Sequence, residues 1–428
     1  MLITTIIALL FFILLSLPIS AVLGVMGIFL DATFSSLPLS LAFGEVLWNH
    51  SRDFLLVIVP LFILMGEIIL HAGIAHRMYA AIAQWLSWLP GGLMHANIGC
   101  SAIFAASSGS SVATAATVGT VAYPEIEKRN YNESLFLGSL AAGGTIGILI
   151  PPSINLIIYG LLTDSSVPEL YLAGIIPGII LSTLFMAVII LTCLFRPSWG
   201  GSPVKTTWAE RIRTLPDLLP PILLFCAVVG SIYMGVATPT EAASIGVVFA
   251  LIIAAVNRSL NFKMLRDAFE GTMRTTAMIM LIILAAVFLN FVLGFIGVTQ
   301  AILQGIEALG LTPMETMLII IVFYLLLGMF METLSMLLTT VPVVFPIVMH
   351  MGFDPIWFGI MITVLMETAL ITPPIGVNLY VVHGIRTRGG KFNDVSVGAA
   401  PFVIAMLVMI ALLLIYPQVA VWLPEKFY

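Results

Sequence analysis

Charge is what this chain has least of. Only 9% of its 428 residues are Asp, Glu, Lys or Arg, against 61% hydrophobic, and the mean hydropathy is +1.15. That polar surface is too small to cover a chain of this size in water, so a soluble domain is excluded and an all-α integral membrane protein in a lipid bilayer is implied. There is no basic tract that would suit nucleic acid and no acidic tail; the net charge of −5 is spread thinly. Cysteine is scarce: Cys100, Cys193 and Cys226 have neither metal-ligand spacing nor a disulfide framework, and read as small buried residues. The six histidines form no HExxH pair and no GxSxG elbow appears, which argues against an enzyme. The opening residues, Met1 to Leu30, lack a basic n-region and a clear cleavage site, and read as mature protein.

Long apolar runs are what the chain has in their place. A hydrocarbon core of ~30 Å needs ~20 helical residues. Runs of about that size are Phe54–Leu70, Glu133–Tyr159, Leu170–Phe195, Asp217–Gly235, Thr240–Val256, Thr272–Val298, Ile356–Val382 and Pro401–Leu423. Met1–Leu30 is interrupted at Pro18 and counts as one span or two, giving about ten in all. Two further apolar regions, 91–122 and 313–350, are broken by "SSGSS" and "GMFMETLSM". Each reads as a re-entrant helical hairpin. A turn at that depth is tolerated only where protein or a water-filled cavity surrounds it.

The chain also repeats itself. Pro124 and Pro346, Pro151 and Pro373, and Pro152 and Pro374 are each 222 positions apart, as are Ser111 and Thr333; "ILIPPS" thereby meets "LITPPI". Both copies run in the order broken apolar run, span, amphipathic piece, hairpin, span with Pro-Pro. The expected organisation is a first repeat over 1–160 with its hairpin at 91–122, and a connecting span and loop over 161–216. A second repeat follows over 217–384 with its hairpin at 313–350, then a loop and final span over 385–428.

Lys and Arg favour cytoplasmic loops. Arg77, Lys128 and Arg129, then Arg196, Lys205, Arg211 and Arg213, then Arg258, Lys263 and Arg266, then Arg386, Arg388 and Lys391 all fit that side, while the loops at Asp164–Glu169 and Met351–Pro355 carry none. Arg52 and Lys426 run against the pattern. An odd number of crossings then separates the copies, making the repeat inverted. Inverted repeats with broken helices are the architecture of secondary transporters, with substrate and coupling ion held near the midplane.

A sodium ion stripped of water needs several hard oxygen donors. The hydroxyls of Ser108 and Ser110 supply some. Pro151 and Pro152 lack amide hydrogens and free carbonyls one turn earlier, so Gly147 and Ile150 offer backbone oxygen. For the serines alone, close helix packing by small residues is an equal alternative. In the second copy Thr333, Thr368, Thr372 and the carbonyls before Pro373 are the counterpart donors. Glu332 and Glu367 are either solvated near a boundary or functional, and either one binding a proton would change the coupling ion. Ser111, Asn155 and Asn378 are candidate contacts for an anionic substrate, or satisfied structural groups.

"SGSSVATAATVGTVAYPE", "AAGGTIGILIPPSINLIIYG" and "ITPPIGVNLYVVHGI" resemble the large membrane subunit of tripartite ATP-independent periplasmic (TRAP) transporters over essentially the whole chain. The resemblance implies Na+-driven uptake by an elevator motion in a bacterial or archaeal cytoplasmic membrane. The expected cargo is an organic acid, such as a C4-dicarboxylate or sialic acid, handed over by a periplasmic substrate-binding protein. A small four-helix membrane subunit is expected as a separate chain. The family's sodium positions fall on Ser108, Ser110, Gly147, Ile150 and Pro151. The competing expectations are a stand-alone Na+- or H+-coupled elevator transporter for dicarboxylate, citrate or an inorganic anion, and a channel.

Overall fold

The computed structural model describes residues 4, 5, 8, 11, 12, 17–202, 206–387 and 389–428, without the side chains of 105–108. Lys205, Arg388 and much of 1–18 therefore lie outside the described residues, including the part of Met1–Leu30 that decides between one span and two. The described chain is helical, with a single isolated bridge between Tyr131 and Gly200.

The first set of helices is α1 (Ile19–Phe34), α2 (Phe43–Ser51), α3 (Ile58–His71), α4 (Ile74–Leu86), α5 (Leu93–Ser108), α6 (Ser111–Ala122), α7 (Glu133–Thr145), α8 (Ile154–Thr163) and α9 (Val167–Phe195). The second is α10 (Leu219–Tyr233), α11 (Pro239–Val256), α12 (Phe262–Phe295), α13 (Val298–Leu309), α14 (Pro313–Gly328), α15 (Thr333–His350), α16 (Pro355–Leu370), α17 (Val377–Gly384) and α18 (Phe392–Ile415). Among the described residues, seven helical stretches are long and apolar enough to cross a membrane: Phe54–His71, Val167–Phe195, Trp208–Tyr233, Pro239–Val256, Phe262–Phe295, Thr333–His350 and Phe392–Ile415. This is a multi-pass membrane protein.

Helix starts follow local chemistry. Thr238-Pro-x-Glu241 and Thr312-Pro-x-Glu315 each form a capping box with proline in the first turn, opening α11 and α14. Asn132, Ser153, Ser166 and Asp354 cap α7, α8, α9 and α16 by accepting backbone N–H groups. Breaks also follow chemistry. Glu133–Tyr159 and Ile356–Val382, read from sequence as spans, are not continuous: each stops before its Pro-Pro pair and restarts after it.

Two other expectations are corrected. Several of the basic residues read as loop residues stand on helices: Arg77 on α4, Arg211 and Arg213 on a short helix at Trp208–Thr214, and Lys263 and Arg266 on the first turns of the 34-residue α12. Helix α18 begins nine residues before Pro401 and carries that proline inside it, ending at Ile415 rather than running on to Leu423. Cys100 and Cys193 are buried as expected, but Cys226 is exposed.

Packing divides the helices into two groups. Helices α1, α3, α11 and α12 pack on one another, while α7 is wrapped by α5, α6, α17 and α18. The tightest crossing is α7 on α18. A methyl at Gly138 would run into the Gly398 carbonyl, and one at Gly398 into the Ser134 carbonyl, so small residues set the approach.

Candidate functional site

The two hairpins and the two Pro-Pro breaks meet. Helix α7 gives way to a 3-10 turn at Ile146–Ile148, then to Leu149–Pro152 with a cis Pro151–Pro152 bond, and Ser153 opens α8 by accepting from the Leu156 amide at 3.3 Å. Because Pro151 has no amide hydrogen, the Gly147 carbonyl loses its helical donor. From behind, α9 braces the break: methyls at Gly174 and Gly178 would meet the Leu149 carbonyl and the Ile150 side chain.

The turn of the first hairpin sits on the same break. Gly109 takes φ +59, a left-handed conformation that glycine adopts at no steric cost, and a Cβ there would lie 3.4 Å from the Pro152 carbonyl oxygen. Ser110 caps α6, its Oγ accepting from the Ala113 amide at 3.3 Å. The tip thus rests on Pro152: Ser110 follows Gly109 in the tip, while Gly147, Ile150 and Pro151 belong to the turn and break leading up to Pro152. The Ser108 side chain lies outside the described residues.

The second copy repeats this pattern with a difference. Pro373–Pro374 is also cis, but both prolines are exposed, whereas Pro151 and Pro152 are buried. Thr368 Oγ1 donates to the Val364 carbonyl at 2.7 Å and Thr372 Oγ1 to that of Thr368 at 2.6 Å, leaving hydroxyl lone pairs to face other partners. Helix α14 ends at Gly328 against Ala369, beside Thr368. Glu332 is the cap of α15: its carboxylate accepts from the Ser335 amide at 3.2 Å and from Thr333 Oγ1 at 3.0 Å.

Between the copies, Ser111 Oγ donates to Glu367 Oε2 at 2.8 Å, with both residues buried. Asn378 Nδ2 donates to the Ala141 carbonyl at 3.3 Å. Helix α17 packs on α6 and α7, and α8 packs on α15 and α16, so the segment after each break is held by the other copy. Among the described residues, Glu367 Oε1, Asn378 Oδ1 and Asn155 Nδ2 are buried with no hydrogen-bond partner. Buried polar atoms are nearly always paired, so three orphans around one junction suit a place where water, an ion or a substrate sits. Among the described residues no group of three or more His, Cys, Asp or Glu side chains is placed to hold a metal ion; the oxygen donors here are hydroxyls, carbonyls and the carboxylates of Glu332 and Glu367.

Outside this junction, Arg386 follows α17 and pairs with Glu133 at 2.7 Å and Asp394 at 3.3 Å, tying the start of α7 to the start of α18. Burial works against its charge, but the two carboxylates outweigh that and hold the guanidinium above its ordinary value.

Sequence reasoning did not reach the Ser111–Glu367 pair, since the partners are 256 positions apart. It also passed over Glu67, an acid inside the run Phe54–Leu70 and on that ground alone a candidate.

The model of the family "Tripartite ATP-independent periplasmic transporter, DctM component" matches residues 6–419. The chain belongs to this family. It is 33% identical over 380 residues to the C4-dicarboxylate TRAP transporter large permease protein DctM of Pseudomonas aeruginosa, covering 89% of this chain and 88% of that one. The sialic acid TRAP transporter large permease protein SiaM of Vibrio cholerae is 30% identical, covering 88% and 87%. Among solved structures, the YdaH transporter of Alcanivorax borkumensis superposes with a TM-score of 0.63 at 16% identity, over 99% of this chain and 98% of that one, which speaks to fold alone. A TRAP large permease is a transport subunit and not an enzyme.

Proposed function

We propose that this TRAP permease takes up an organic acid by Na+ symport across a bacterial or archaeal cytoplasmic membrane. The acid, a C4-dicarboxylate, sialic acid or similar carboxylate, arrives on a periplasmic substrate-binding protein. A small four-helix membrane subunit completes the complex. The observation that carries the reading is the junction of hairpin tip and Pro-Pro break, present twice and interlocked through Ser111 and Glu367.

The first hairpin is re-entrant, and by the repeat so is the second, although its α15 (Thr333–His350) is by itself long and apolar enough to cross. At 1.5 Å per residue, α5 and α6 measure ~24 and ~18 Å, short of a ~30 Å core. With the Lys and Arg loops on the cytoplasmic side the two copies are inverted, and about ten spans result. Ser110, Gly147, Ile150 and Pro151, with Ser108, form the first Na+ site. Thr333, Thr368, Thr372 and the carbonyls at Pro373 form the second, and Ser111, Asn155 and Asn378 face the substrate. Hydroxyl and carbonyl oxygen suits a hard monovalent ion. The two packing groups support an elevator: α5–α9 and α14–α18 move as one unit against a frame containing α1–α3 and α10–α12. The relatives named for C4-dicarboxylate and sialic acid support the carboxylate class.

The test is reconstitution of the permease with and without a small membrane subunit and a periplasmic substrate-binding protein, under an imposed Na+ gradient. Uptake is expected only from the complete set. Full-rate uptake by the permease alone would favour a stand-alone elevator.

A further inference from the structure

Beside the tip of the first hairpin is a partly open cavity that shares Ser110 with the first ion site and contains an acid, Glu67, that the ion and substrate assignments leave unused. It has a volume of about 140 Å3 and lies where α3 and α12 face α5, α6 and α8. Its polar lining is Glu67 of α3, Ser110 of the hairpin tip and Thr275 of α12, with Phe104 and Ile154 as apolar walls. No Lys or Arg is among the described residues that line it. At ~30 Å3 per water in bulk, the space holds a small ion with a few waters.

Glu67 is fixed there by its surroundings. A Cβ on Gly271 would lie 2.9 Å from Oε2 and 3.0 Å from Oε1, so α12 comes close to the carboxylate only because position 271 has no side chain. His71, one turn along α3, is hydrogen-bonded through Nδ1 to the Glu67 carbonyl at 2.9 Å and stands 3.5 Å from Oε2. The carboxylate is half-buried, and no other charged side chain lines the cavity with it. A carboxylate and two hydroxyls between low-dielectric walls concentrate a monovalent cation and repel an anionic substrate group.

We propose that Glu67 forms a cation port, through which the coupling ion reaches or leaves the hairpin tip at Ser110. This rests on the Na+ reading above. It places a functional group on α3, in the frame, opposite the ion-binding unit. The port is distinct from the tip-and-break donors because its one charge comes from a helix that neither hairpin contains.

The experiment varies Na+ at constant ionic strength, set with a large organic cation, and takes two readouts on the complex of permease and small subunit, with loaded substrate-binding protein added for the first. One is the Na+ half-saturation of uptake. The other is Na+-dependent thermal stabilisation of the purified complex without substrate. Glu67→Gln, nearly equal in shape, should raise the half-saturation about three- to tenfold in both readouts, with maximal uptake at saturating Na+ retained. Glu67→Asp should stay near the parent value. Thr275→Lys, which puts a positive charge into the same space without touching Glu67, should raise it as well, and decides the matter should Glu67→Gln not accumulate. Folded Glu67→Gln and Thr275→Lys variants with unchanged Na+ half-saturation would overturn the port. A parent complex insensitive to Na+ in both readouts would overturn the Na+ reading and the port with it, so the two failures are told apart.

Discussion

Replacing Ser111 by Ala removes one hydroxyl, and with it the hydrogen bond that pairs the buried Glu367 carboxyl. Ser111 Oγ donates the 2.8 Å bond to Glu367 Oε2, and Glu367 Oε1 already has no partner among the described residues. After the substitution the buried carboxyl is left with neither oxygen paired. Stranding such a group costs ~1–3 kcal/mol, more if it is ionised. Inter-helix hydrogen bonds in membranes average ~0.6 kcal/mol and reach ~1.7, so the bond alone is the smaller part. Glu367→Gln preserves an acceptor for the serine, and should cost under ~1 kcal/mol on the same reasoning. A double-mutant cycle with Ser111→Ala and Glu367→Leu separates these contributions, because the double variant leaves no carboxyl to strand. The expected coupling is ~1–2 kcal/mol, with the double variant less destabilised than the sum of the singles. The assay is reversible unfolding of the purified permease in mixed detergent, read by tryptophan fluorescence. Additivity within ~0.5 kcal/mol would show that the pair contributes nothing and that the copies are held by packing alone.

At the first hairpin, Ser110 caps α6 and is also a proposed ion ligand, so Ser110→Ala and Ser110→Asn are informative together. Asn restores the cap, worth ~1 kcal/mol, but not the hydroxyl; only if the Na+ half-saturation of uptake rises in both, about tenfold, is the hydroxyl an ion ligand, and recovery in Asn would return it to helix capping. For orientation, cysteines introduced at Ser166, which caps α9, and at Gly352, in the turn after α15, should react with an impermeant thiol reagent from the periplasm, and one at Arg129 from the cytoplasm. Same-side labelling of Ser166 and Arg129 would dispose of the inverted topology.

Much of this fold was legible in the sequence because proline and glycine act locally. The 222-residue offset between Pro151 and Pro373 marked the two places where the spans read from the sequence prove to be broken, and "SSGSS" located the first hairpin turn to within a residue of Gly109. Charge was a poorer guide to element ends. Lys263 and Arg266 suggested a loop, yet a helix that projects beyond the hydrocarbon can carry charges on its first turns, as α12 does. The contents of the junction were half legible. Which residues flank each break follows from the chain; that Glu367 meets Ser111 and Asn378 meets Ala141 depends on packing between the copies, which no local pattern records. The same holds for the unequal exposure of the two Pro-Pro pairs: in the first copy the hairpin turn at Gly109 lies against Pro152, and α9 lies against Leu149 and Ile150 just before the pair.

The claim on which the rest depends is that a sodium gradient drives transport through this chain. The most direct measurement is uptake of a labelled organic acid into proteoliposomes holding the permease and its small subunit, with loaded binding protein outside and Na+ set independently on each side at zero membrane potential. Accumulation above equilibrium with outward-facing Na+ in excess, lost when Na+ is equal on both sides at the same ionic strength, is the predicted result. Accumulation that follows a proton gradient and ignores Na+ would contradict the account.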